Sequence, residues 1–298
     1  MAGLWASSMR GGWSPSCLDR RSRRGQRRIL SMRLFQRVRL LTSAAICLLA
    51  ALQIVCAQDK KAEDKSPKVI LTVPLGIIAG KTNTVELRGL NLDTAKALHF
   101  TDTTVRATLA SKGKADVPQN QKKERLGDTQ VKAEVFVPAD FKGDEAAFTV
   151  ETPDGQSAPA RLAVLRPGAF IEESEDNGSF AKPQSVRLPT TVRGSIKAPQ
   201  DVDVFAFEGK AGQRVTAEIL AARLGSPLDA TLTLWNASNT LLASADDSPG
   251  DRDPRLAFTL PADGRYFLVV QDAHDAGSAL HGYLVSLKWS APTPVVPK

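Results

Sequence analysis

The sequence predicts an all-β protein of two small β-sandwich modules behind an N-terminal leader. Three observations carry this. Apolar residues recur with period 2 in short runs, and Gly, Pro and Asp turn signals interrupt them about every 8–12 residues. Only one stretch, Thr216–Leu224, passes for a helix, and its β-branched start and the alternation around it favour a strand. The composition is that of a folding chain, with 42% hydrophobic and 24% charged residues.

Residues 1–57 read as the leader. Arg33, Arg37 and Arg39 precede the apolar run Leu40–Val55, and Val55-Cys56-Ala57 places small residues where a signal peptidase cuts, ahead of Gln58. That run is short for a membrane span, so an uncleaved anchor is the lesser alternative and a lipidated Cys56 a further one. The Arg-rich residues 1–31 fit translation starting at Met32, a twin-arginine export signal or an organelle transit peptide. The leader also explains the charge. The net +7 of the chain is +9 from residues 1–57 and −2 from the rest, which removes the case for nucleic acid as a partner. Cys17, Cys47 and Cys56 all lie in the leader, so the remainder has no disulfide, thiolate metal site or cysteine nucleophile. An exported protein is expected, periplasmic, surface-held or secreted, touching membrane only through an uncleaved signal segment.

Residues 58–66 (QDKKAEDKS) form a charged tether without periodicity. The first module is expected over 67–166. Lys68–Val73 and Thr84–Gly89 are strands, Ser111–Asp128 is a long exposed Lys-rich loop, and Lys132–Pro138 and Ala146–Thr152 alternate cleanly. A linker over 167–180 ends in an acidic group, Glu172, Glu173, Glu175 and Asp176. The second module follows over 181–290. Its strands include Val204–Phe207, Arg214–Leu220, Thr231–Trp235 and Leu256–Leu260. Pro261-Ala262-Asp263-Gly264 then turns the chain into Arg265–Gln271, and Tyr283–Leu287 repeats the pattern. The tail 291–298 is proline-rich.

Two resemblances emerge from these landmarks. Residues 172 to 289 resemble the bacterial pre-peptidase C-terminal domain, through Glu173-Ser174-Glu175-Asp176-Asn177, Asp201-Val202-Asp203-Val204-Phe205, Gly212-Gln213, Gly225-Ser226-Pro227-Leu228-Asp229, Asp246-Asp247 and Asp263-Gly264-Arg265-Tyr266. Val204 stands where that family usually has an aromatic residue, and Asp176 where proline is usual. Residues 67 to 165 are similar to immunoglobulin-like IPT/TIG domains, on Pro67, Pro74, Gly80, Gly89-Leu90-Asn91 and Thr152-Pro153-Asp154-Gly155. The resemblances imply an Ig-like sandwich followed by a jelly-roll-like one, paired as in exported proteins of planctomycete-type bacteria.

The chemistry worth testing is acidic. Glu173, Glu175 and Asn177 fall at i, i+2 and i+4, on one face of an extended segment, and Asp201 and Asp203 share a face at a strand start. Related collagen-binding members of the family take calcium ligands from the corresponding stretches, which makes these five residues candidate Ca²⁺ ligands. The same acids would serve equally as solvated linker and turn residues. Asp246, Asp247, Asp251 and Asp253 form a second cluster without EF-hand spacing, and turn chemistry explains it as well.

No catalytic or cofactor-binding residue is assigned. After the leader only His99, His274 and His281 occur, with no HExxH, GxSxG, phosphate loop or Rossmann glycine pattern. His274 between Asp272 and Asp275 could imitate an acid–base or metal site, and loop placement explains it as readily. Trp235, Trp289, Tyr266 and Tyr283 are candidates for a sugar-stacking platform, although both tyrosines fall on core faces. The expectation is an exported, non-catalytic binding or adhesion accessory protein for an extracytoplasmic protein or polysaccharide. The alternatives are an accessory or chaperone-like module of a secreted peptidase, and a hydrolase.

Overall fold

The computed structural model describes residues 64–290 except Asn120 and Glu175. The leader, its cleavage site, most of the tether and the tail lie outside the described residues.

The first sandwich is built from β1 (Lys68–Val73), β2 (Gly76–Ile78), β3 (Lys81–Leu90), β4 (Ala97–Phe100), β5 (Arg106–Lys114), β6 (Thr129–Val137), β7 (Glu145–Thr152), β8 (Gly155–Gln156) and β9 (Ala160–Leu165). One sheet runs β1-β3-β6-β5 and the other β2-β9-β7-β4, with β8 paired to β7. Their inner faces follow the period-2 pattern. Val85 and Leu87 of β3 and Val131, Ala133, Val135 and Val137 of β6 share one core with Phe148, Val150, Leu162 and Val164 of β7 and β9.

The stretch expected as a loop, Ser111–Asp128, is only partly one. Residues 111–114 complete β5, and α1 (Lys123–Leu126) is a single turn that buries Leu126. β5 is an edge strand exposed along most of its length; Ala107 and Leu109 alternate toward the core, and beyond them the strand needs only backbone pairing with β6. Arg88 then ties the excursion down, donating to the carbonyls of Asp116, Leu126 and Gly127.

The second sandwich comprises β10 (Phe170–Glu172), β11 (Gln184–Ser185), β12 (Thr190–Ser195), β13 (Val202–Gly209), β14 (Arg214–Leu220), β15 (Ala230–Asn236), β16 (Leu241–Ala245), β17 (Arg255–Thr259), β18 (Gly264–Asp272) and β19 (Gly282–Ser290). Its sheets run β10-β12-β19-β14-β17 and β11-β13-β18-β15-β16. Val215, Ala217 and Ile219 face Phe205, Phe207, Leu232, Leu234, Leu268 and Val270 across the core. Part of the expected linker belongs to this sandwich. Residues 170–172 pair in parallel with β12, and Ile171 packs on the core, so hydrogen bonding outweighs the acidic character of the segment.

The described residues from Lys65 to Ser290 belong to one compact unit, and the sandwiches meet through an apolar seam. Leu75, Ala163 and Leu165 of the first pack with Leu224, Leu284, Phe170 and Leu220 of the second. Arg193 on β12 donates to the Gly76 carbonyl at 2.6 Å. Gly225 sits at φ 86°, where a Cβ would come 2.0 Å from the Ile70 carbonyl oxygen, so only glycine allows this approach.

Candidate functional site

Strand β13 alternates inward Asp203, Phe205 and Phe207 with outward Val202, Val204 and Ala206, which puts a carboxylate at a core position. Asp203 is 1% exposed. Directly against it lies Tyr283 of β19, fully buried, whose hydroxyl donates to Asp203 Oδ2 at 2.6 Å. Taking a carboxylate out of water disfavours its charged form. Burial, then the neighbouring charge of Glu173, push the Asp203 carboxyl up to about 8, partly opposed by the Tyr283 hydrogen bond. Burial and the same acids hold the Tyr283 phenol well above its ordinary value.

The segment after β10 closes over this pair. Glu173 donates its backbone N–H to Arg193 O, accepts from Ser195 N–H through Oε2 at 2.8 Å, and hydrogen-bonds Asp203. Asn177 is 2% exposed, and its carbonyl accepts from Val204 N–H. Its side-chain amide lies 2.8 Å from Ser174 O and 3.1 Å from Asp203 Oδ1. With the amide nitrogen turned to them, Asn177 donates to both. Rotated by 180°, Asn177 Oδ1 joins two other oxygens about 3 Å away, the spacing of neighbouring ligands on one hard cation. Gly194 makes the approach sterically feasible: a Cβ there would meet Tyr283 Oη at 2.5 Å and Glu173 Oε2 at 2.8 Å. A cavity of about 210 Å³ on the seam reaches the site and is lined by Glu173, Tyr283, Arg193, Ser195 and Leu75.

Of the five residues singled out from sequence, the fold brings Glu173, Asn177 and Asp203 together. Asp201 is offset, its carboxylate accepting from Lys197 N–H at 2.7 Å, though its charge still acts on Asp203. Glu175 lies outside the described residues. Among the described residues no three His, Cys, Asp or Glu side chains gather in a way that could hold a metal. An ion would therefore draw on the Asn177 amide oxygen and the Ser174 carbonyl as well as carboxylates. Such an all-oxygen donor set suits calcium and lacks the nitrogen and sulfur that favour zinc. Sequence reasoning missed the Ser174 carbonyl, Gly194 and the contact to Tyr283, which it read as a core aromatic or part of a sugar-stacking platform.

The other candidates resolve into structural roles. Asp253, fully buried, accepts from the backbone N–H groups of Ala221, Ala222 and Arg223 and from Arg223 Nε, while Asp246 and Asp247 are exposed. The second acidic cluster thus caps a turn. His274 pairs with Asp229 at 3.3 Å, and the buried His281 hydrogen-bonds Ser278 Oγ through Nδ1 at 2.8 Å. Of the proposed platform, Tyr266 and Tyr283 are core residues and Trp289 packs edge-on against Phe207. Trp235 alone stays on an outer face, half-buried.

Residues 201–272 match the model of the bacterial pre-peptidase C-terminal domain. The second sandwich carries that domain, with Asp201 and Asp203 inside the matched stretch, Glu173 and Asn177 ahead of it and Tyr283 behind. The chain is 37% identical over 123 residues to a probable subtilase-type serine protease of Deinococcus radiodurans. That match covers 39% of this chain and 17% of the protease, so the chain spans a small fraction of its curated relative. Among solved structures it is similar to the pre-peptidase C-terminal domain of a Bacillus anthracis collagenase, with 19% identity and a TM-score of 0.30, covering 36% of this chain and 94% of that one. It is also similar to a periplasmic inhibitor of g-type lysozyme from Aeromonas hydrophila, with 18% identity and a TM-score of 0.28, covering 41% and 100%.

Proposed function

We propose that this chain is an exported, non-catalytic binding accessory protein whose second sandwich is fastened by calcium and presents its surface to an extracytoplasmic protein or polysaccharide. The accessory role is supported by the pre-peptidase C-terminal match over residues 201–272. The calcium reading rests on one observation, the buried Asp203 carboxyl facing Glu173 and an Asn177 amide that also meets the Ser174 carbonyl. Glu173, Asn177 and Asp203 would hold the ion, with Asp201 and Glu175 as further donors from the same segments. Bound there, calcium would neutralise carboxylates that the fold otherwise crowds together out of water.

This chain's own residues prepare that site. Tyr283 fixes one Asp203 oxygen and leaves the other toward Asn177, while Ser195 N–H fixes Glu173. Because Glu173 follows β10 directly, an ion here would also pin the strand that begins the sandwich. Thermal melting with calcium and with EDTA tests the reading: calcium should raise the melting temperature, and identical curves would remove it.

The name of the Deinococcus relative favours a second reading, an accessory module working with a secreted peptidase. Co-purification with a peptidase encoded beside this protein would support it.

A further inference from the structure

Strands β15 and β16 and their turn, residues 230–245, contain no Asp, Glu, Lys, Arg or His, in a chain that is 24% charged. At that average, about four of these sixteen positions would be charged, and outer-face positions are where charges normally collect. The outer face here is instead apolar along one row. Register places Leu241 opposite Trp235, Trp235 opposite Phe267, and Phe267 opposite Ala206. Phe180 reaches over from the preceding segment, its ring edge-on to Trp235 at 5.6 Å and to Phe267 at 5.2 Å. Leu241 is 48% exposed and Phe180 36%, two of the three exposed large hydrophobic residues among the described ones. The Trp235 indole is held in place, donating through Nε1 to Thr233 Oγ1 at 2.8 Å. Beside this row runs a second of hydroxyls, Thr233 opposite Ser244, with Asn236, Ser238 and Thr240 at the turn.

We propose that this face, centred on Trp235 with Phe180 and Leu241, binds a neutral polysaccharide. A sugar ring presents an apolar C–H face and a fringe of hydroxyls. The row supplies an aromatic and aliphatic surface, and its neighbours supply uncharged donors and acceptors. The accessible part of this row is Trp235 and Leu241 on adjacent strands roughly 4.8 Å apart, with the Phe180 ring beside them, while Phe267 and Ala206 are buried. Thr233, Ser244, Asn236, Ser238 and Thr240 border Trp235 and Leu241 without charge, while Arg265, opposite Glu208, lies over Phe267 at the other end of the row. With hydroxyls and amides rather than charges beside the exposed residues, a neutral glycan is the favoured occupant. The inference rests on the reading of the chain as a non-catalytic binding protein and narrows its partner.

The test is affinity electrophoresis of the full chain through gels containing hydroxyethylcellulose, laminarin or galactomannan, with alginate as the anionic control. At least one neutral polymer should retard the protein and alginate should not. Trp235→Ala should weaken that retardation at least tenfold. Leu241→Glu, at an exposed position whose loss costs the core nothing, should weaken it severalfold with an unchanged melting temperature. Retardation by alginate alone, by no polymer, or undiminished in both variants would overturn the assignment. Shortening of the polymer by the protein would instead sink the non-catalytic reading beneath it.

Discussion

Replacing Asp203 by asparagine exchanges a buried titratable carboxyl for a neutral group of the same shape. Without a bound ion this should stabilise the protein. Burial and Glu173 push the carboxyl from 3.8 up to about 8, so between those values the folded protein keeps a proton that the unfolded chain has released. A raised folded value means that this group's contribution is fully present below about pH 4 and lost as pH rises through about 8. One pH unit between the folded and unfolded values is worth about 1.4 kcal/mol, so the wild-type site costs on the order of a few kcal/mol at pH 8.5. Asparagine still accepts from Tyr283 Oη and can donate to Glu173, as the protonated acid does. At roughly 2–4 °C per kcal/mol for a unit of this size, Asp203→Asn in EDTA should melt about 5–10 °C above wild type at pH 8.5. The difference should shrink toward zero near pH 4. Melting followed by circular dichroism across that range measures it. A variant less stable than wild type at pH 8.5 in EDTA would show that Asp203 is not held as a strained, neutral acid.

Gly194→Ala forces a methyl against the Tyr283 hydroxyl and Glu173, and should cost about 1–3 kcal/mol in urea unfolding, as overpacking does. Gly225→Ala would place a Cβ 2.0 Å from the Ile70 carbonyl at a left-handed φ, so limited proteolysis should cut faster between the sandwiches, near residues 166–169. Asp253→Ala leaves the backbone N–H groups of Ala221, Ala222 and Arg223 without their acceptor, while the Arg223 side chain keeps Glu218 and Asp251; it should lower stability by about 1–3 kcal/mol and leave any calcium response unchanged. His281 is held below its ordinary value by burial, with Arg125 adding to this against the pull of Asp272. Its contribution is therefore present above about pH 6.5 and lost as pH falls through the lower folded value, so His281→Gln should flatten the acid limb of the stability profile.

Most of the sandwich framework is legible in the sequence because a strand with one buried face must alternate. Val131, Ala133, Val135 and Val137 of β6, or Tyr266, Leu268 and Val270 of β18, announce their faces without any structural help. What alternation does not encode is partnership. The carboxylate at Asp203 and the phenol at Tyr283 are 80 positions apart, and only the strand order brings β13 and β19 into the same core. Edge strands escaped for the opposite reason. The end of β5 is held by backbone pairing, so lysine there carries no penalty and leaves no pattern, and β10, only Phe170–Glu172, is too short to show alternation although Phe170 and Ile171 are packed. Proximity along the chain also misled. Asp251 and Asp253 look like partners of Asp246 and Asp247, yet Asp253 turns inward to cap the segment after β14, and Asp251 pairs with Arg223. Gly194 gave no signal, because its necessity lies in the ring that packs on it.

Whether calcium fastens the second sandwich is decided by calorimetric titration of CaCl₂ into the EDTA-treated, dialysed chain at pH 7.5. Saturable binding of one ion is expected, with proton release that grows as the pH is lowered from 8 to 6, because Asp203 must lose its proton to become a ligand. Asp203→Asn and Asn177→Ala should each abolish or greatly weaken that binding. No heat of binding in the wild type, or binding that both variants retain in full, would mean that these residues hold no calcium.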